Sequence, residues 1–295
     1  MSARPTPSQL RTRRVVALVV FAAAVALLVW VGTLAYGAIR ESEAPPPPPK
    51  VVPPPKPLRI VFPEGFTRRE MADRITAVNG IARRKREVTP KLSEREYLRL
   101  TRRSRLPAEL AGDGKRRPLE GLLFPSTYEF LPKTTTAQLV NKQLVTFQRN
   151  WDRVDLTYAR SRNLTPYDVL IIASMIEKET VAPEERPLVA AVIYNRLKAG
   201  MALQIDATVR YGLGVPATES LRRSHLQSDN LYNTRRFPGL PPTPIANPGL
   251  ASMQAAAKPA KVNYLFFVRK PDKIHHFFTA SEREFNAYLA AHGYG

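Results

Sequence analysis

The sequence contains no cysteine and only four histidines, and these shortages exclude whole classes of site. Without cysteine there is neither a disulfide framework nor a thiolate ligand for a metal. The histidines show no HExxH or comparable spacing, so neither a metal nor a cofactor is expected. Acidic residues are also scarce, with 25 Asp and Glu against 45 Lys and Arg. The net charge of +20 implies a polyanionic neighbour, which could be nucleic acid, anionic lipid or an acidic wall polymer.

Charge of either sign is absent from a long stretch near the N-terminus. Residues 15–39 consist mainly of Val, Ala and Leu and are numerous enough to cross a bilayer as a helix. Four arginines and no acidic residue precede them, so residues 1–14 are expected to stay in the cytoplasm. A cleavable signal peptide is the alternative, but its apolar region normally has only roughly 7–15 residues. The rest of the chain is then expected outside the cytoplasm, which argues against nucleic acid as the partner.

A proline-rich linker is predicted over residues 40–57, followed by an α+β domain. Two proline runs in the linker predict a semi-rigid extended spacer, with a disordered tether as the equal alternative. Leu58–Phe62 predicts a strand, and the capping box formed by Thr67 and Glu70 predicts a helix through roughly Val78. The basic runs between residues 83 and 117 are expected to be solvated surface that faces membrane or wall anions. Further helices and strands are predicted over residues 136–150, 184–199, 250–257, 264–268 and 275–279.

The most informative stretch is residues 164–180. Thr165 is a suitable N-cap, Pro166 suits the first helical position, and Asp168 can return a capping hydrogen bond. Residues 169–176 are almost entirely apolar, so this helix is expected to be buried nearly all round. It ends in two carboxylates, Glu177 and Glu179.

Glu179 lies on the same predicted helical face as Ile172, Met175 and Ile176. A carboxylate on a buried apolar face has a raised pKa unless it is paired, and a raised pKa suits a general acid. The alternative is an ordinary helix end whose glutamates are solvated or bound to arginine. The helix by itself favours that alternative.

Other polar residues are candidates for substrate contacts. Residues 119–130 combine aromatic, acidic, glycine and proline residues, so Glu120 and Tyr128 suit a sugar-binding cleft, although a hairpin edge would look the same. Gln204, Asp206 and Thr208 alternate with apolar residues, which predicts one polar side. Residues 229–234 and the proline-dense residues 239–249 predict stiff loops rich in hydrogen-bonding groups.

Taken together, these stretches resemble the YceG-like endolytic murein (peptidoglycan) transglycosylases. The resemblance covers about residues 119–280, and the matching stretches stand in the family's order and spacing. They are residues 119–128, 173–180, 192–200, 203–214, 232–234, 239–249 and 276–279. One such match would be weak, because Glu-Lys-Glu-Thr is an ordinary tetrapeptide, but seven in order are specific.

The resemblance implies a single-pass membrane protein with its catalytic domain, residues 119–295, outside the cytoplasm. Such enzymes cleave the β-1,4 bond between MurNAc and GlcNAc within nascent glycan strands and leave 1,6-anhydroMurNAc ends. By motif position the catalytic acid is Glu179, with Glu177 not excluded by spacing. The expected partners are glycan strands, the membrane and the peptidoglycan synthases. The residues expected to bind sugar are Glu120, Tyr128, Gln204, Asp206, Tyr232, Asn233 and Thr234.

The sequence departs from the family's pattern in two places. Longer members carry a LysM-like segment before the catalytic region, and residues 58–118 contain only a partial, basic version of it. The family's His-Thr-Phe-Asn is His-Phe-Phe-Thr at residues 276–279, which weakens His276 and Thr279 as site residues. Two other functions stay open: a non-catalytic wall-binding or divisome scaffold, and a glycoside hydrolase that uses Glu179 with Asp206.

Overall fold

The computed structural model describes residues 7–42, 56–111 and 114–293. It contains both helices and strands, as the α+β prediction requires, and divides into two compact units between residues 54 and 55. Most of the predicted linker lies outside the described residues. The helices are α1 (Pro7–Ser42), α2 (Arg68–Arg86), α3 (Glu94–Thr101), α4 (Ala108–Ala111), α5 (Thr136–Trp151), α6 (Thr157–Ser161), α7 (Pro166–Glu179), α8 (Arg186–Lys198), α9 (Asp206–Leu213), α10 (Arg223–Leu226), α11 (Leu250–Ala257) and α12 (Glu282–Ala291). The strands are β1 (Leu58–Val61), β2 (Ser104–Arg105), β3 (Arg116–Arg117), β4 (Thr127–Phe130), β5 (Phe266–Arg269) and β6 (His276–Thr279).

The first unit is described only by α1. Residues 11–40 of this helix are apolar enough to cross a membrane, and none of that stretch is buried against protein. At 1.5 Å per residue, a helix of 36 residues is about 54 Å long, more than the ~30 Å of a bilayer's hydrocarbon core. The predicted span of residues 15–39 therefore lies within one continuous helix.

The second unit contains two neighbouring hydrophobic cores. The first core lies under the antiparallel pair β1–β4, in which Leu58 faces Phe130 and Val61 faces Thr127. Leu58 and Ile60 point inward while Arg59 and Val61 are exposed, as alternation in a half-buried strand requires. Because β4 belongs to residues 119–295, this pair joins the two segments that the sequence divides at residue 118. That division stays a prediction.

Helix α2 covers the β1–β4 pair and extends beyond its predicted end. The predicted capping box is present, since Thr67 accepts from the Glu70 N–H and the Glu70 carboxylate accepts from the Thr67 N–H. The prediction that the helix ends near Val78 is wrong. Gly80 is accommodated inside the helix, which continues to Arg86 and ends at Glu87 in the left-handed conformation (φ 54°).

The second core surrounds α7. Its predicted N-terminal capping box between Thr165 and Asp168 is present, and Tyr167 and residues 169–176 are buried. Helices α11 and α8 pack along it. A short 3₁₀ turn, Pro183–Glu185, joins α7 to α8, which therefore begins slightly later than predicted.

Two predictions near the site have opposite outcomes. The alternating pattern at residues 204–208 does not form an extended segment with one polar side. Helix α9 begins at Asp206 and ends at Gly214, whose φ of 68° suits a left-handed helix end. The two strands predicted over residues 264–268 and 275–279 are present as β5 and β6, and the structure adds that they pair antiparallel, with Phe266 opposite Thr279 and Arg269 opposite His276.

Candidate active site

The two carboxylates that end α7 have different environments. Glu177 accepts a hydrogen bond of 2.9 Å from the backbone N–H of Gly249, the N-cap residue of α11. Glu64 approaches the same glycine so closely that a Cβ on Gly249 would collide with its carboxylate. A negative side chain at a helix N-terminus is stabilised by the helix dipole. The Glu177 carboxylate is therefore already used to cap α11.

Glu179 faces a different set of groups. Burial raises the pKa of Glu179 to about 7, and the nearby charge of Asp206 also raises it. Arg269, the backbone N–H of Ala207 and Arg235 act in the opposite direction on this pKa. A carboxyl group with a pKa near neutrality is present in both protonation states at physiological pH, which suits proton transfer in both directions.

Arg269 fixes the end of α7 from the hairpin side. It lies at the last position of β5, and its Nη2 donates a hydrogen bond of 2.8 Å to the backbone carbonyl oxygen of Glu179. The last carbonyls of a helix lack partners within the helix. A charged donor there both satisfies the carbonyl and matches the negative end of the helix dipole. The β5–β6 hairpin thereby holds Glu179 in place.

Asp206 and Arg235 form an ion pair beside Glu179. Arg235 approaches one oxygen of Asp206 with Nε at 2.8 Å and Nη2 at 2.7 Å. Both side chains are partly exposed. Two residues before Asp206, Gln204 has an exposed side chain and a positive φ of 58°, and its Oε1 accepts from Arg196 at 3.0 Å. These groups give the neighbourhood of Glu179 an accessible polar rim.

The loop that carries Arg235 is held by Asn233 and Thr234. Both side chains are buried, and the Asn233 amide donates to the carbonyls of Leu226 and Ser228. The Thr234 hydroxyl accepts from the N–H of Ile205 and pairs with the hydroxyl of Thr208 at 2.9 Å. These two predicted sugar-binding side chains therefore form hydrogen bonds that stabilise the loop.

Glu120 lies inside the protein rather than on a surface. Its side chain is 2% exposed, and its oxygens accept from the Arg68 N–H (2.8 Å), the Asn247 amide (2.8 Å) and the Tyr211 hydroxyl (3.0 Å). Burial raises the pKa of Glu120 to about 7, although the three hydrogen bonds lower it. In this conformation the carboxylate joins the two cores and has no free face for a sugar.

Two predicted aromatic contacts also point inward, to different degrees. The buried Tyr128 donates its hydroxyl proton to the Phe124 carbonyl at 2.7 Å, and its ring packs against Phe62. Tyr232 is half-buried, contacts the ring of Tyr211 and shares a 2.7 Å hydrogen bond with Thr243. The structure thus brings Asp206, but neither Tyr128 nor Glu120, into the immediate electrostatic environment of Glu179.

Sequence reasoning missed Arg235 and Arg269. Arg235 directly follows the motif at residues 232–234, so that motif could have suggested it. No local signal distinguished Arg269 from the other 44 basic residues.

The remaining motif histidine, His276, is buried and bonds through Nδ1 to the carboxylate of Glu185 at 2.7 Å, while Thr279 bonds to Glu284. Among the residues that the structure describes, no group of three or more His, Asp or Glu side chains could hold a metal ion.

Comparisons with known proteins agree on one family. The model of the YceG-like family matches residues 49–291. An endolytic murein transglycosylase from Bacillus subtilis (strain 168) is 33% identical over 190 residues, which cover 63% of this chain and 52% of that protein. A protein of the same name from Streptococcus pneumoniae (strain ATCC BAA-255 / R6) is 32% identical over 185 residues, or 61% of this chain and 33% of that protein. The matched region therefore spans about half of these relatives or less.

A solved structure extends the agreement to the fold. The crystal structure of a yceG-like protein from Listeria monocytogenes superposes with a TM-score of 0.65 at 30% sequence identity. The superposition covers 79% of this chain and 76% of the Listeria chain.

Proposed function

The chain belongs to the YceG-like family, and from that premise we propose that it is a membrane-anchored endolytic murein transglycosylase. It cleaves the β-1,4 bond between MurNAc and GlcNAc within nascent glycan strands and leaves 1,6-anhydroMurNAc ends. Such cleavage terminates or trims strand elongation, and the peptidoglycan synthases that make the strands are the expected partners. The names of the curated relatives support this reaction class.

The observation that carries the proposal is the environment of Glu179. As a neutral acid, Glu179 protonates the glycosidic oxygen, so that GlcNAc leaves with its hydroxyl restored. As a carboxylate, it then takes the proton of the MurNAc 6-hydroxyl, whose oxygen bonds to C1 and closes the anhydro ring. The proton that was given away is thereby recovered. A pKa of about 7 serves both steps near neutral pH.

The polar rim beside Glu179 supplies the proposed substrate contacts. Gln204 and Asp206 are the predicted sugar-binding residues that are accessible there, and we assign them to sugar hydroxyl or acetamido groups. Asp206 has a second role, because its negative charge favours the protonated form of Glu179. Tyr232 is partly accessible and stays a candidate for sugar binding. The buried Asn233 and Thr234 act instead by stabilising the loop that carries Arg235.

A glycoside hydrolase is the second candidate, because Asp206 lies near Glu179. Hydrolytic glycosidases need a second carboxylate as nucleophile or general base. Mass spectrometry of digested glycan strands distinguishes the outcomes. Anhydro ends support the transglycosylase, reducing ends would establish the hydrolase, and intact strands would leave a non-catalytic wall-binding protein.

The pH dependence of cleavage tests the role of Asp206. Glu179 must be protonated to donate, so kcat/KM is expected to fall as pH rises through about 7. In Asp206→Asn the neighbouring negative charge is lost, so the pKa of Glu179 falls. The decline of kcat/KM with rising pH is then expected at a lower pH than in the wild type. Asp229→Asn is the matched control, since Asp229 also pairs with an arginine, Arg236, but at an exposed position. If kcat/KM declined over the same pH range in the wild type and in Asp206→Asn, this role of Asp206 would be contradicted.

The proposed topology places the N-terminus in the cytoplasm and the catalytic domain outside. Because the chain contains no cysteine, single cysteines introduced at Ser8 and at Asp229 report each side without background. The label is a membrane-impermeant maleimide, applied to protoplasts or spheroplasts whose cytoplasmic membrane is intact. It is expected to label position 229 and not position 8. Labelling of position 8 alone would reverse the proposed orientation.

A further inference from the structure

A basic surface lies where the chain enters the second unit. It consists of Lys56 and the last turn of α2, Arg83–Arg86, together with the neighbouring Ile81, and we call it the entry face. Its side chains are exposed, including 48% of Ile81. Lysine and arginine around an exposed aliphatic side chain are typical of surfaces that lie on lipid headgroups.

One hydrogen bond fixes this face to the start of the domain. Arg86 donates through Nη1 to the backbone carbonyl of Pro57 at 3.2 Å. Pro57 directly precedes β1, so the basic turn lies beside the residue at which the chain arrives from the N-terminal helix. The position of the face relative to β1 therefore does not depend on residues 43–55.

The charges on the entry face are in excess of what the fold needs. Within residues 7–42, 56–111 and 114–293, no carboxylate lies within ion-pair distance of Arg83, Arg84 or Lys85. One cation in the last turn is enough to match the helix dipole, and α2 carries four in succession. The one adjacent acid, Glu87, leaves the turn strongly positive.

We propose that the entry face docks onto an anionic phospholipid surface. The proposal rests on the anchoring role proposed for α1, because that anchor places the face near a bilayer. Residues 43–55 separate α1 from the described start of the domain, and thirteen residues reach at most about 47 Å even when fully extended. A tether this short gives the face an effective concentration near lipid in the millimolar range. Contacts of about 1 kcal/mol per cation are then sufficient for docking.

Docking would set the height of Glu179 above the bilayer. Strand β1 runs from the entry face toward the end of α7, where Lys178 donates through Nζ to the Gly65 carbonyl at 3.3 Å. From Pro57 to Gly65 the chain spans at most about 29 Å. A docked domain therefore holds its candidate acid within a short, fixed distance of the lipid, where newly made strands emerge.

The full chain in lipid nanodiscs provides the test. A single cysteine at Ile81 carries an environment-sensitive fluorophore, and a spin-labelled lipid headgroup serves as quencher. Strong quenching is expected with anionic phosphatidylglycerol and weak quenching with phosphatidylcholine alone. The triple variant Arg83→Glu, Arg84→Glu, Lys85→Glu is expected to lower the docked-to-free ratio on the order of 100-fold, at about 1 kcal/mol for each lost cation. Raised salt should weaken docking of the wild type in the same way.

A charge-matched variant separates the face from the net charge. Arg149→Glu, Lys198→Glu, Arg283→Glu changes the charge equally at exposed positions elsewhere and is expected to dock as the wild type does. The proposal would be overturned by equal quenching with phosphatidylglycerol and phosphatidylcholine, or by an equal loss of docking in the two triple variants. The proposal would also be overturned if the entry-face triple variant lost its binding to isolated cell wall but docked onto lipid as the wild type does, since the face would then bind wall polymer.

Activity measured on detergent-solubilised protein distinguishes this proposal from the proposed function. The entry-face triple variant is expected to cleave soluble glycan strands at the wild-type rate, whereas Glu179→Gln is expected to dock normally and not cleave. Docking without cleavage in the wild type would refute the enzyme and retain the membrane surface.

Discussion

Replacing Glu179 by glutamine is expected to lower the rate of glycan-strand cleavage by about 10²–10⁴-fold, the usual contribution of a general acid–base. Glutamine keeps the size of the side chain and its hydrogen-bonding capacity, but it neither donates nor accepts the transferred proton. The Arg269 contact goes to the backbone carbonyl of residue 179, so it survives the substitution. The measurement is the formation of anhydroMurNAc ends from purified strands, followed by mass spectrometry.

Glu177→Gln is the matched control, because the two glutamates stand two residues apart at the end of one helix. Its carboxylate caps α11 through the Gly249 N–H, so the expected loss is one of stability, about 1 kcal/mol, with activity nearly kept. The assignment would be reversed if Glu177→Gln were inactive while Glu179→Gln digested strands as fast as the wild type.

Asn247→Ala is expected to produce the largest loss of stability, about 2–5 kcal/mol. The Asn247 side chain is fully buried, donating to the carbonyl of Phe66 and to Glu120, and accepting from the N–H of Leu123 at 2.9 Å. Alanine leaves these partners buried without their hydrogen bonds. Thermal and denaturant unfolding of the second unit measure the effect.

The loss should depend on pH, since the Asn247 hydrogen bond lowers the pKa of Glu120. Without that bond the pKa of Glu120 rises further above its unfolded value. A group with a raised folded pKa loses stability as pH rises through that pKa, so the deficit of Asn247→Ala is larger above pH 7 than at pH 6. Asn263→Ala, at an exposed asparagine, is the control and should leave stability unchanged. A small deficit that is the same at both pH values would show that the network contributes little.

Local signals predicted much of the fold because the capping and periodic patterns act within a few residues. The capping box of α7, the proline at its first position and its apolar run fix that helix without tertiary information. Strands β5 and β6 were equally visible from their two aromatic runs, although their pairing was not. The end of α2 was not, since glycine inside a helix costs only about 1 kcal/mol and packing against β1 overcomes it.

The candidate site required tertiary contacts that no local pattern encodes. Glu120 looked accessible in an aromatic, polar stretch, but three donors from distant segments enclose it. The neighbours of Glu179 come from α9, from the loop that carries Arg235 and from β5. Only the position of Glu179 on its own helix could be deduced directly. The spacing of its partners along the chain carries no distance information.

The antiparallel pairing of β1 with β4 has a mechanical consequence. An enzyme bound to wall polymer at one end and anchored at the other experiences tension whenever the wall and membrane move apart. Under the proposed anchoring, that tension enters the domain at Pro57, the residue before β1, whose ladder hydrogen bonds with β4 run perpendicular to the strand. A pull along the strand axis would load all the rungs of the ladder at once in shear, instead of unzipping them one after another. The same four-residue strand that begins the domain can therefore serve as its force-bearing attachment.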